Sequence, residues 1–304
     1  MMSRMQQRTT SVPVRTVSVI GGRGFLGGRI ADRLRESGHR VHVLDRDRPA
    51  FDAQGLLPEV AASDWVVWAA SSINPMIADN DPDRVVLDAE AFEALLRGLD
   101  GLGPSAPRVL LLSSGGTVYD ESVDPPYAED SPVGPRSAYG RAKLALEQRL
   151  AGAANHPVVL RVSNAYGPGQ RVAPGQGVIA HWLYAAAAGQ PVHLFGDPAV
   201  ARDYVHVADI ADAARLVVET GSTEPVLNVG GGCATSLDQL LDAIGAVTDL
   251  PLVVERHPAR SFDARSTWLD CRRTREVLGW QPHFSLPDGI ADTWRWLRST
   301  AELV

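Results

Sequence analysis

Lys143 is the single lysine of a 304-residue chain that carries 28 arginines. Tyr139 precedes it by four positions, in the segment SAYGRAK. On a helix, that spacing sets both side chains on one face. A free phenol, with a pKa near 10, is a poor base at neutral pH. A neighbouring ammonium favours the phenolate and brings the group into range. Lysine is also a compact head with three donors, able to hold ribose hydroxyls in a way the larger arginine fork does not reproduce. The pair reads as a general base and its modulator, with a solvated helix face as the alternative.

A second motif lies near the start, in VSVIGGRGFLGG, where Gly21, Gly24 and Gly27 are spaced three apart. Such a turn lets the backbone approach a pyrophosphate, and the following helix, opened by Phe25 and Leu26, offers free N–H groups to the phosphates. Asp45 follows eighteen residues after Gly27, at the end of the next apolar run. Its carboxylate suits the hydroxyls of an adenosine ribose and repels a 2′-phosphate, which favours NAD over NADP. Arg46 and Arg48 stand beside it and keep NADP open as the less favoured cofactor.

These residues need elements to hold them. Val14 to Ile20 reads as a buried strand, RIADRLRESG as a helix closed by Gly38, and VHVLD as a second strand. Strand, glycine turn, helix and strand make a βαβ unit with a parallel sheet. Further strands are expected at 65–70, 108–113 and 158–162, and helices at 89–99 and 138–151. Only nineteen residues separate Asp45 from Trp65, including Pro49 and Pro58, so one element of a standard dinucleotide-binding half is missing or vestigial. The fold class is α/β, a Rossmann-type doubly wound sheet with a smaller C-terminal α/β lobe. Residues 1–13 are expected to be a disordered tail and 14–165 the dinucleotide-binding domain. Residues 166–304 form mainly a substrate lobe, with some segments returning to the sheet.

Composition narrows the partners. A net charge of −7 and pI near 5.6 give no footprint for nucleic acid or an anionic membrane. The apolar stretches are too short to span a bilayer, and the N-terminus has no apolar signal core. Cys233 and Cys271 have no metal or redox spacing, and the eight histidines no HExxH-like pattern, so no metal site is expected. Two isolated thiols fit a cytoplasmic protein.

Taken together, the motifs resemble the extended short-chain dehydrogenase/reductases, in particular the NAD-dependent nucleotide-sugar epimerases and dehydratases. The likeness runs from about Val17 to Trp296. GGRGFLGG is similar to the family's glycine loop, and WVVWAASS to the strand whose end (Ala69, Ala70, Ser71) lies along the cofactor. LLLSSGGTVYD resembles the strand carrying the catalytic hydroxyl, and SAYGRAK the Tyr-x-x-x-Lys segment. LRVSNAYGPGQ, LFGDPAVARDYVHVADIADA, LNVGGG and LGWQPHFSLPDGI resemble stretches of the C-terminal half. The resemblance implies Tyr139 as base and Lys143 as its modulator. It implies Asn164, Arg202 and Arg260 at the substrate diphosphate, Asp263 near its nucleotide ribose, and His193 to Phe195 facing the base. It also implies a homodimer through the helices near 89–99 and 138–151.

Departures from the family pattern sharpen the reading. The catalytic Ser or Thr commonly falls where this chain has Gly115, leaving Thr117 first and Ser114 second as the hydroxyl. The Asp-Glu pair that drives water loss in the dehydratases is replaced by Gly116 and Thr117, which disfavours dehydration. Asp88 stands where the family often has Asn. The expected function is a nucleotide-sugar 4-epimerase passing through a transient 4-keto sugar. The alternatives are an NAD(P)H-dependent ketoreductase of a keto-sugar nucleotide and a non-catalytic NAD-binding regulatory protein.

Overall fold

The computed structural model describes residues 12–53, 55–153, 155–259 and 266–300. In chain order the principal elements are β1 (Thr16–Ile20), α1 (Phe25–Glu36), β2 (Arg40–Leu44), β3 (Trp65–Trp68), α2 (Pro82–Asp100), β4 (Arg108–Ser114), α3 (Ala138–Ala151) and β5 (Val158–Val162). There follow α4 (Val178–Ala187), β6 (Val192–Phe195), α5 (Val207–Thr220), β7 (Val226–Val229), α6 (Leu237–Thr248), β8 (Val254–His257) and α7 (Leu286–Ser299).

Six strands form one parallel sheet in the order β7-β5-β4-β3-β1-β2. Its strands are apolar on both faces because helices cover both. Ile30 and Leu34 of α1 and Ile210, Ala214 and Val217 of α5 pack on one face. Phe92 and Leu95 of α2 and Leu146 and Leu150 of α3 pack on the other. The doubly wound α/β fold read from the sequence is borne out. Strand order reverses between β1 and β3, and the crevice beyond their carboxyl ends is where such folds take ligands.

Beyond residue 166 the chain divides its packing. α5 and β7 complete the sheet and one of its faces, whereas α4, β6, α6 and α7 enclose a separate core around Trp182, Leu194, Ile244 and Ile290. The short β6 and β8 pair in parallel, with Val254 opposite Val192 and His257 opposite Phe195.

Two elements differ from expectation. The second helix begins at Pro82, seven residues before the predicted start. Asp81 caps it by accepting from the Arg84 N–H, and Pro82 presets its first turn. Its first turns were hidden because Val86 and Leu87 are exposed and break the core-facing period. Between β2 and β3 the shortened segment forms an antiparallel pair, Phe51–Asp52 with Gly55–Leu56, and one helical turn, Pro58–Ala61. Among the described residues no strand of the main sheet lies outside β2, so the expected missing element is the third strand. No helix is long and apolar enough to cross a membrane among those residues.

Candidate active site

The glycine turn is built on close approach. Gly21 has φ +81°, and a Cβ there would lie 2.6 Å from the Ala70 nitrogen, so the turn rests directly on the loop after β3. A Cβ on Gly27 would stand 2.3 Å from the Gly21 carbonyl oxygen, so α1 packs its backbone against the turn. The Gly21 and Gly22 N–H groups donate to the Leu44 carbonyl at 2.8 and 3.1 Å, tying the turn to β2. Gly24 caps α1 and brings no side chain to its first-turn amides, while Phe25 and Leu26 begin the helix. This is the bare, positively polarised helix start that a pyrophosphate requires.

Asp45 follows β2 directly. Its Oδ1 accepts the N–H groups of Asp47 (2.8 Å) and Arg48 (3.0 Å), and its Oδ2 lies 2.9 Å from Arg23 Nε. The Arg48 N–H first, then that of Asp47 and the Arg23 and Arg48 charges, hold its carboxyl below the usual range. Arg48 turns to Glu59 at 2.7 Å, and Arg46 is exposed. Arg23 was not singled out from sequence. It lies inside the glycine motif, and its tie to Asp45 appears only when β2 lies beside β1. On the opposite side of the crevice, Ala69 donates its N–H to the Ile20 carbonyl at 2.9 Å. Ser71 Oγ donates to Asp88 at 2.8 Å, as do Ser72 N–H (2.8 Å) and Ser72 Oγ (2.6 Å). Asp88 thus fastens this loop to α2.

Tyr139 and Lys143 share a face of α3, whose start is capped by Ser137 accepting from the Gly140 N–H. Lys143 is buried, with Nζ 5.6 Å from the Tyr139 ring centroid. Thr117 Oγ1 donates to Ser114 Oγ at 2.8 Å, so the two alternative hydroxyls form one unit at the end of β4. A Cβ on Gly140, next to Tyr139, would lie 2.3 Å from the Thr117 carbonyl oxygen, so α3 touches the hydroxyl loop. At Gly115 a Cβ would meet Leu269 Cδ1 at 2.6 Å and the Arg161 carbonyl oxygen at 2.9 Å, so the position has no room for a side chain.

Asn164 sits on the far side of that loop, its Nδ2 3.8 Å from the Cβ position of Gly116. Its N–H and Nδ2 both donate to the Asp203 carbonyl, at 3.0 and 2.8 Å. Arg202 is half-buried opposite Thr235 and Thr267, and its Nη1 donates to the Ala201 carbonyl at 3.0 Å. His193 and Phe195 lie on β6, where Phe195 stacks on His257 with centroids 4.8 Å apart. Arg260 and Asp263 fall outside the described residues.

Beneath the Tyr–Lys pair lies a network that sequence reading missed. Glu147, four residues past Lys143, accepts from Ser113 of β4 and from Arg161 of β5, whose Nη2 and Nε donate to Oε2 at 2.7 and 3.1 Å. Arg161 Nη1 also donates to the Glu129 carbonyl, and Glu129 Oε1 accepts the Asn228 N–H at 2.8 Å. Glu147, Arg161 and Glu129 are all buried. A signal was available, since Arg161 is the one charge in the apolar strand VVLRV.

A model of the NAD dependent epimerase/dehydratase family matches residues 17–230, about two thirds of the chain. The chain belongs to that family. Among its members, the UDP-glucose 4-epimerase of Mycolicibacterium smegmatis is 32% identical over 93% of this chain and 99% of its own length. The UDP-glucose 4-epimerase of Thermotoga maritima, solved with UDP-glucose, is 30% identical, with a TM-score of 0.81 over 93% of this chain and 98% of its own. That of Thermus thermophilus, solved with NAD, is 27% identical, with a TM-score of 0.81 over 94% and 99%. The resemblance read from the motifs is borne out, and the spans show that it extends through both the sheet and the C-terminal lobe of this family member.

Proposed function

We propose that this protein is an NAD-dependent epimerase of a nucleotide-diphosphate sugar, acting at C4 of a UDP-hexose. The observation that carries the reading is the contact of α3 with the hydroxyl loop: at Gly140, the residue after Tyr139, the helix backbone packs on the Thr117 carbonyl of the loop whose Thr117 and Ser114 hydroxyls are paired. The likeness over nearly the full length of two UDP-glucose 4-epimerases supports the substrate class.

The residues around the crevice fit NAD. Gly21 and Gly27 exclude any Cβ from the turn, and Asp45 lies at the end of β2 with its carboxylate held ionised. The glycine turn and the start of α1 would hold the pyrophosphate, Asp45 the adenosine ribose, and the Ala69–Ser71 loop the opposite flank. When bound, NAD supplies reversible hydride exchange with the sugar carbon.

The chain's own residues manage the proton and the geometry. Tyr139 Oη, as the phenolate, takes the proton from the sugar 4-hydroxyl and later returns it, and Lys143 stabilises the phenolate before the uptake and after the return. The Thr117–Ser114 pair holds the same sugar oxygen by a hydrogen bond, in the role a hydroxyl at position 115 would otherwise fill. Asn164 flanks this loop and serves the diphosphate together with Arg202. With glycine and threonine at positions 116 and 117, no carboxyl is present to drive dehydration.

Interconversion of UDP-glucose and UDP-galactose, with no cofactor added, tests the proposal. Tyr139→Phe should lower the rate by about 10²–10⁴-fold while leaving bound NAD in place. A variant as active as the parent would remove Tyr139 from the reaction. We also propose a homodimer through α2 and α3. Between them runs a groove of about 530 Å³ lined by Val85, Val86, Ala89, Ala142 and Ala145, with Val86 54% exposed. Sedimentation of the chain at its monomer mass of 32.6 kDa would refute it.

A further inference from the structure

β6 and β8 form a two-stranded parallel sheet at the edge of the C-terminal lobe. Side chains alternate across a strand. Val192 and Leu194 are buried in the lobe core, so His193 and Phe195 point to the other face. The register sets Glu255 opposite His193 and His257 opposite Phe195, on that same outward face. The result is a patch of two imidazoles and one carboxylate whose ligand atoms all lie within 4.8 Å of one another.

Two of the three distances approach those of a coordination sphere. His193 Nδ1 lies 2.9 Å from His257 Nε2 and 3.4 Å from Glu255 Oε2. Tetrahedral zinc with bonds of 2.0–2.1 Å separates its ligand atoms by roughly 3.3 Å. The two pairs at His193 need shifts of only about a few tenths of an ångström, and the remaining pair, within 4.8 Å, closes by rotation of the exposed Glu255 side chain. His193 Nδ1 faces both His257 Nε2 and Glu255 Oε2, so one cation can take all three groups at once. Phe195 stacks on the His257 ring with an interplanar angle of 23° and holds its orientation.

We propose that His193, Glu255 and His257 bind a divalent transition-metal ion, with zinc as the best match to two imidazoles and one carboxylate. Three protein ligands leave a fourth position open to solvent or to an oxygen of a second molecule. The site lies on different elements from the glycine turn and the Tyr139–Lys143 pair, within the His193–Phe195 stretch that the family resemblance sets against the nucleotide base. It is invisible as a sequence motif because its ligands come from two strands far apart in the chain.

The test uses the tag-free full-length protein, stripped of metal and titrated with Zn²⁺ by calorimetry and with Co²⁺ by visible absorption. One equivalent should bind, and Co²⁺ should give the intense visible band of a tetrahedral site. His193→Ala and His257→Ala should each weaken Zn²⁺ binding by at least about tenfold, and the double variant should abolish the Co²⁺ band. Circular dichroism of the variants should match the parent, since His193 and Glu255 are exposed and His257 is partly so. Absence of stoichiometric binding would overturn the proposal. So would binding that persists unchanged in the double variant.

Discussion

A side chain at position 115 would collide with Leu269 and with the backbone of β5, so in the proposed mechanism the hydroxyl comes from its neighbours Thr117 and Ser114. Gly115→Ser, which restores the commoner residue of the family, should therefore destabilise the fold by about 1–3 kcal/mol through overpacking. Urea unfolding measures this, and a variant as stable as the parent would show that Leu269 yields freely. At this scale the sequence was most legible where chemistry is local. Tyr139 and Lys143 share one helix, and Gly21, Gly24 and Gly27 share one turn. It was least legible where a residue's role depends on a remote partner. Arg23 reads as a neutral filler of the glycine motif until β2 places Asp45 beside it. Gly115 reads as a lost hydroxyl until Leu269, more than 150 residues away, is seen to occupy its space.

α3 carries Tyr139, Lys143 and Glu147 at successive intervals of four, and the last of these anchors the helix. Glu147 joins it to β4 through Ser113 and to β5 through Arg161. Breaking one partner of a buried ion pair leaves the other charge uncompensated, at a cost of about 3–5 kcal/mol. Glu147→Ala should lose that much in equilibrium unfolding, and a loss under 1 kcal/mol would mean that Arg161 finds another partner. Helices with an apolar stripe, such as α3, were legible over their whole length. α2 was legible only from Ala89, because its first two turns put Val86 and Leu87 at the surface and hide the core-facing period. The segment between Asp45 and Trp65 was rightly read as too short for a helix and strand. Its hairpin escaped notice because paired strands of two residues carry no alternation to detect.

At the level of the whole molecule, the C-terminal half both completes the sheet and builds a second core, and His206 stands where the two meet. It caps α5 by accepting the Ala208 N–H and stacks on Phe284 with centroids 3.9 Å apart. Burial pushes its pKa down to about 4, with Arg29 adding to the fall and Asp292, 3.5 Å away, opposing it. A histidine whose pKa is lower folded than unfolded contributes fully above about 6.5 and loses that contribution as pH falls through 4. Asp203 has the opposite sign, because burial raises its carboxyl to about 7 against the pull of N–H donors from Leu269, Gly231 and Gly232. Comparison with His206→Gln isolates the first term, since the amide keeps an acceptor for the cap and does not titrate. The stability gap between parent and variant should be widest above pH 6.5 and shrink by about 3 kcal/mol toward pH 4. A gap independent of pH would mean that His206 is not desolvated. The strand order could not be read from the sequence, because β7 returns to the sheet only after the second core has begun. The central claim concerns the cofactor: an epimerase needs NAD to remain in place through the whole cycle. The most direct measurement is to denature the protein as purified and identify the released nucleotide by absorbance and mass. Near-stoichiometric NAD is the predicted result. A protein that releases none and instead binds NADPH from solution would contradict the epimerase account and mark a one-way reductase.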